Sequence, residues 1–97
     1  MPAYILVEVD VHDPEGYERY RAVVMPSITA YGGRFVVRGG RVEQKEGAWR
    51  PGRIVVLEFP SFAAARGWYE SPDYTPLAAL RGRAARTDIL LIAEGAP

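Results

Sequence analysis

Apolar and polar residues alternate along "YILVEVDV", with Ile5, Val7, Val9 and Val11 set against Tyr4, Leu6, Glu8 and Asp10. Alternation with period two places the two sets on opposite faces of a β-strand. The spacing changes at "HDPEGYERYRAVV". Asp13 suits a helix N-cap, Pro14 the first helical position, and Glu15 and Glu18 the first turns. Tyr17, Tyr20, Arg21, Val24, Ile28 and Tyr31 then follow helical spacing. Pro26 is expected to kink or restart this helix, because it removes a backbone donor and clashes with the preceding turn. Gly32-Gly33 is expected to end it. "RFVVR" reads as a second strand, and regular alternation would point Arg34 and Arg38 to one side with Val36 between them. After Gly39-Gly40, "RVEQKEGAWRPGR" is a polar excursion or a short hairpin arm, punctuated by Gly47 and Pro51-Gly52. "RIVVLEF" is a third strand. Ser61 then caps "FAAARGWYE", Ser71-Pro72 restarts a helical stretch with an irregularity near Pro76, and "TDILLIAEG" closes as a strand.

The order β-α-β-β-α-β is the split βαβ or ferredoxin-like pattern. It is an α+β fold with one four-stranded antiparallel sheet and its helices on one side. There are no repeats and no linker long enough to divide residues 1–97, so a single domain is expected. The helix-facing set is expected to be Ile5, Val7, Val9 and Val11; Phe35 and Val37; Val55, Leu57 and Phe59; and Ile89, Leu91 and Ala93. The open face then holds Tyr4, Leu6, Glu8, Asp10, Arg34, Val36, Arg38, Ile54, Val56, Glu58, Leu90, Ile92 and Glu94. That face is too apolar to leave in water and too charged for a monomer's core. Pairing of two copies sheet to sheet resolves the conflict. Arg34 and Arg38 would meet Glu8, Glu58 or Glu94, within one chain or across a homodimer, or would bind an anionic group. An architectural and a ligand-binding role are both open at this point.

Composition narrows the chemistry. Charges balance at twelve against twelve, and the chain has no cysteine and one histidine. Disulfides, thiolate metal sites and cysteine nucleophiles are thereby excluded. One histidine without cysteine gives no metal-ligand spacing, so neither a metal nor a cofactor is expected. Eleven of the twelve cations are arginine, and asparagine is absent. A GC-rich genome would produce this bias, so the number of arginines carries no argument by itself. The element order is shared with RNA-recognition modules, but their aromatic strand motif is missing and the net charge is zero, so no nucleic-acid partner is expected. The start "MPAYILVEVDV" has neither a positive leader nor a membrane span, which makes a cytoplasmic protein with no membrane partner the expectation.

Among single residues, His12 reads as a solvated turn residue. The glycine pairs read as tight turns, since "YGGR" follows a helix rather than opening one. "RGRAAR", residues 81 to 86, reads as a solvated helix end whose cations suit the macrodipole. Trp68, Tyr69 and Tyr74 belong either to the helix-to-sheet core or to a pocket wall that orients a polar ligand. Glu58 is the candidate acid or base. Burial would raise its pKa and Arg34 or Arg38 would lower it, which leaves the sign open. Tyr17, Tyr20 and Arg21 are further candidates for the cleft, if helical phase survives Pro26.

The run "YGGRFVVRGG", then "EGAWRPGRIVVLEFPS" and "WYESPDYTPLAALR", resembles the family known as domain of unknown function 1330. The resemblance extends from "DPEGYERY" to the closing strand. It rests on Tyr31 to Arg34, Arg38 to Gly40, Glu58 to Ser61, Trp68, Tyr69, Ser71, Pro72 and Tyr74. It implies a small ferredoxin-like domain pairing sheet to sheet as a dimeric α/β barrel. Wider relatives of that architecture include cofactor-free monooxygenases, muconolactone isomerases and haem-binding enzymes, an analogy of fold rather than of chemistry. The expectation is a cytoplasmic homodimer binding a small, partly apolar, anionic or carbonyl-containing molecule. Glu58 would act as acid or base in cofactor-free proton-transfer or oxygenase-like chemistry. Arg34 and Arg38 would clamp the ligand, and Trp68 and Tyr74 would wall the pocket. The alternative is a non-catalytic ligand-binding or structural dimer.

Overall fold

Four strands and three helices follow one another in the computed structural model, which describes residues 1–97. They are β1 (Ala3–Val11), α1 (Pro14–Ala30), β2 (Arg34–Arg38), β3 (Arg53–Phe59), α2 (Phe62–Glu70), α3 (Thr75–Ala84) and β4 (Ala85–Glu94). The strands form one antiparallel sheet in the order β2-β3-β1-β4. This is the ferredoxin-like α+β arrangement, with α2 and α3 together making the second helical connection. The core lies between helices and sheet, around Ile5, Val9, Val24, Ile28, Phe59 and Trp68, none more than 1% exposed.

Local chemistry explains the boundaries. The Asp13 carboxylate accepts from the Gly16 backbone N–H at 3.1 Å, and Ser61 Oγ accepts from Ala64 at 3.0 Å, so α1 and α2 begin at the residues expected. At the end of α1 the Gly32 and Gly33 N–H groups donate to Thr29 and Ile28, both at 2.9 Å, which closes the last turn with Gly32 at φ +78°. Pro26 neither kinks the helix into two nor restarts it: α1 is continuous from Pro14 to Ala30. Pro26 and Ala22, whose carbonyl loses its partner, both lie on the exposed side, where water replaces the missing bond. Pro76 is likewise no irregularity, since it occupies the first turn of α3, where no donor is needed.

Two departures from regular alternation correct the assignment of faces. In β2, Phe35 pairs with Leu57 and Val37 with Val56, leaving Val36 as the extra residue of a β-bulge. Arg34 therefore stays on the open face opposite Glu58, whereas Arg38 pairs with Val55 and turns to the helix side. The expectation that the two arginines share a face is wrong for this reason. In β4, the register shifts between Thr87, opposite Val9, and Ile89, opposite Glu8. Asp88 takes up the extra position, so Leu90 and Ile92 pack against the core, while Ile89 and Leu91 are 38% and 45% exposed. The inward set expected for β4 is reversed.

Removing the bulge residue leaves the pairing partners of Arg34, Phe35, Val37 and Arg38 unchanged. Deletion of Val36 should therefore keep the fold and keep Arg38 on the helix side. Deletion of Phe35 should remove a ring packed on the core. Circular dichroism and thermal unfolding of the two deletion variants check this, and the Val36 deletion is expected to unfold at the higher temperature.

Candidate functional site

A narrow cleft opens between the helices and the inner face of the sheet, with about 30 Å³ of free space inside it and about 460 Å³ when the gaps between its lining side chains and the solvent at its mouth are counted. Three features of the sequence build it. The bulge at Val36 brings Arg38 to its rim, with the guanidinium 4.0 Å from the Phe35 ring centroid. The helical phase of α1 survives Pro26, so Tyr17, Tyr20 and Arg21 also line the cleft. The turn between α2 and α3 is organised by buried Ser71, whose Oγ donates to the Trp68 carbonyl at 2.8 Å and accepts from the Tyr74 N–H at 3.1 Å. That turn stacks Tyr74 on Trp68 with ring centroids 4.0 Å apart. The Trp68 indole N–H donates to Ser27 Oγ at 3.0 Å, fixing the ring against α1.

At the inner end of the cleft the Tyr20 and Tyr74 hydroxyls are 2.9 Å apart, and Arg81 Nη1 donates to Tyr74. Arg81 is only 8% exposed and has no carboxylate partner. A buried cation without a counter-charge is costly, because the desolvation of the guanidinium is left unrepaid. Its Nε–H is buried without an acceptor, as are those of Arg21 and Arg53 at the same cleft. Burial pushes the Tyr20 and Tyr74 phenols above their ordinary 10.0, with the Arg81 charge pulling the other way. Both therefore stay un-ionised at neutral pH and cannot neutralise Arg81. One of their two hydrogens is spent in the bond between them, whichever way it runs, and one is left for a further acceptor.

The mouth repeats the pattern of cations without acids. Arg53 donates to the Arg38 carbonyl at 3.3 Å and lies 5.4 Å from the Tyr17 ring centroid. Neither Arg38 nor Arg53 pairs with a carboxylate, and Arg21 pairs only with exposed Glu18, at 2.6 Å. No aspartate, glutamate or histidine lines the cleft.

The residues expected to form one site are thus divided between the two faces. Arg38, Trp68 and Tyr74 come together in the cleft. Arg34 and Glu58 are on the open face, joined to each other at 2.5 Å, with the arginine side chain 70% exposed. An exposed pair of this kind contributes at most about 1 kcal/mol. His12 is an exposed turn residue. Arg83 and Arg86 of "RGRAAR" are solvated as expected, but Arg81 is not. Its signal was available: Tyr74, Leu77, Ala78, Arg81 and Ala84 follow i, i+3, i+4, i+7 spacing, which puts Arg81 on the apolar stripe of its helix.

A second, polar recess lies on the open face, where the connection 39–52 folds back over the sheet. Glu8 is 5% exposed there, and its carboxylate accepts from the Trp49 indole N–H at 3.2 Å and the Gly52 N–H at 3.0 Å. Both its oxygens are thereby engaged in holding the connection down.

No helix is long and apolar enough to cross a membrane. No curated protein matches the chain by sequence. Among solved structures, the chain is similar to a protein of unknown function from Rhodopseudomonas palustris, with a TM-score of 0.75 and 21% identity over 99% of this chain and 83% of that one. It is similar to SnoaB, a cofactor-independent oxygenase from Streptomyces nogalater, with a TM-score of 0.67 and 15% identity over 99% and 94%. A third likeness is to a DABB family protein with a ferredoxin-like fold from Mesorhizobium loti, with a TM-score of 0.55 and 14% identity over 99% and 96%. At these identities the likeness is one of fold. A family model fits almost the whole chain, residues 2–95, and by that match the protein belongs to the family described as domain of unknown function (DUF1330).

Proposed function

We propose that two copies of this chain pair through their open sheet faces, and that each helix–sheet cleft takes a small, partly apolar molecule carrying a negative charge or a polarised carbonyl. The observation that carries the reading is Arg81, a buried guanidinium in an aromatic cleft with no carboxylate to pair with. An anion entering the cleft supplies the missing counter-charge, and Trp68, Tyr74 and Phe35 supply apolar walls for the rest of the ligand. Pairing of the open faces follows from an apolar row that crosses the sheet through Val37, Val56, Leu6 and Leu91, with Ile89 beside it; Val37, Ile89 and Leu91 are between 38% and 45% exposed. Such a continuous apolar surface is unfavourable in water and favourable against its own copy.

In a catalytic form of this reading, the phenol hydrogen and the guanidinium stabilise a developing oxyanion, as a cofactor-free proton-transfer or oxygenase-like reaction requires. The oxygenase activity of SnoaB, on a similar fold, is in keeping with that form. One observation favours a non-catalytic carrier instead: Glu58, the candidate acid or base, is on the opposite face from the cleft. A role for Glu58 then belongs to the paired sheet faces.

Equilibrium titration with 2-naphthoate and its neutral amide tests the cleft. The acid is expected to bind once per chain and more tightly than the amide. Arg38→Gln at the exposed rim should weaken the acid by roughly five- to tenfold, the size of one charge-assisted hydrogen bond. Equal binding of acid and amide would remove the anion reading. Light scattering tests the dimer: the wild type should have twice the chain mass, and Leu91→Arg, on the open face, should shift it to the monomer.

The phenols make a separate prediction. A phenol whose pKa is raised on folding holds its proton more tightly in the native state. Its stabilising contribution is complete below pH 10.0, the unfolded value, and falls as pH rises above it. Ultraviolet titration of tyrosinate should show two of the six tyrosines ionising only as the protein unfolds, and in Tyr20→Phe only one.

A further inference from the structure

The side chains facing the cleft comprise cations and phenols but no base. From α1 come Tyr17, Tyr20 and Arg21, from β2 Arg38, from β3 Arg53, and from α3 and the turn before it Arg81 and Tyr74; β1 and α2 contribute Val7, Val9 and Trp68. Nothing on this surface accepts a proton at neutral pH. A ligand with an acidic O–H must give that proton to bulk water, while the electron pair stays on its oxygen. The surroundings then decide which form is held. Desolvation favours the neutral O–H, and nearby cations favour the oxyanion. In most apolar pockets the first effect wins. Here the apolar pocket already contains an unneutralised guanidinium. A neutral ligand leaves Arg81 buried and unpaired, whereas an oxyanion relieves that cost at the moment it enters.

We propose that this cleft binds phenols and enols selectively in their ionised form, with Arg81 and the unspent Tyr20/Tyr74 hydrogen holding the oxyanion and Arg38 and Arg53 drawing it in at the mouth. The proposal rests on the anion-binding reading and narrows it to a class of ligand. It also changes what the protein needs in order to act on such a compound. The activated form of an enol or phenol is its anion, so a cleft that selects the anion activates the compound without a base of its own.

The test uses 4-nitrophenol, whose ionised form alone absorbs strongly in visible light, titrated into the full-length protein at pH values on both sides of its own ionisation. The ionised form is expected to bind at least about tenfold tighter than the neutral one. Equivalently, the midpoint of the bound phenol falls by about one pH unit or more, because one unit corresponds to a tenfold ratio of affinities. Arg81→Lys should retain most of the preference and Arg81→Met should abolish it. Arg81 is buried, so Arg38→Gln combined with Arg53→Gln at the mouth serves as a second variant, expected to reduce the preference by at least about threefold. Tighter binding of neutral nitrophenol, or equal binding of both forms, overturns the proposal and leaves the anion reading intact. So does a protein that binds 2-naphthoate but no nitrophenol. Failure to bind either compound removes the anion reading itself.

Discussion

Helices cover one face of this sheet and leave the other to the connection 39–52 and to solvent, so every strand residue is assigned to one of two unlike environments. Backbone alternation makes that assignment automatically along a regular strand, and a single extra residue reverses everything beyond it. The chain uses this twice. Val36 in β2 sends Arg38 to the helix side, and Asp88 in β4 sends Leu90 and Ile92 there. The first shift puts a cation at the rim of the cleft. The second closes the core beneath α2 and α3 and turns Ile89 and Leu91 outward. The cleft and the apolar open face are thus two consequences of the same pair of irregularities.

The bulges also mark the boundary of what the sequence discloses. Element order, sheet type, the Asp13 and Ser61 caps and the Gly32-Gly33 stop are legible because each rests on local chemistry: a side chain that accepts a specific N–H, a residue without Cβ. A bulge has no comparable local signature in "RFVVR", where any of several residues can be the extra one and the pairing partner decides. Pro26 misleads for a related reason. Its effect depends on whether its neighbours face water, and the tertiary packing settles that. Arg81 was legible in part, as a charge on an apolar helical stripe, but the surrounding cluster of arginines disguised it as a solvated helix end.

Two charges are buried in this molecule, and the structure treats them differently. Glu8 lies under the connection 39–52, where Trp49 and Gly52 donate to its two oxygens. A carboxylate satisfied in this way tethers a long loop and needs nothing from outside. Arg81 is buried to a similar degree, yet its surroundings offer two neutral phenols, its Nε–H finds no acceptor and no acid approaches it. Replacing such a cation with an apolar side chain of similar volume commonly stabilises a core. Stability therefore gives no reason for a guanidinium at position 81, while it does give one for a carboxylate at position 8. On the proposed reading, the difference separates a charge that belongs to the architecture from one that belongs to a site. The aromatic row running from Tyr17 through Tyr20 and Tyr74 to Trp68 walls the cleft beside that guanidinium.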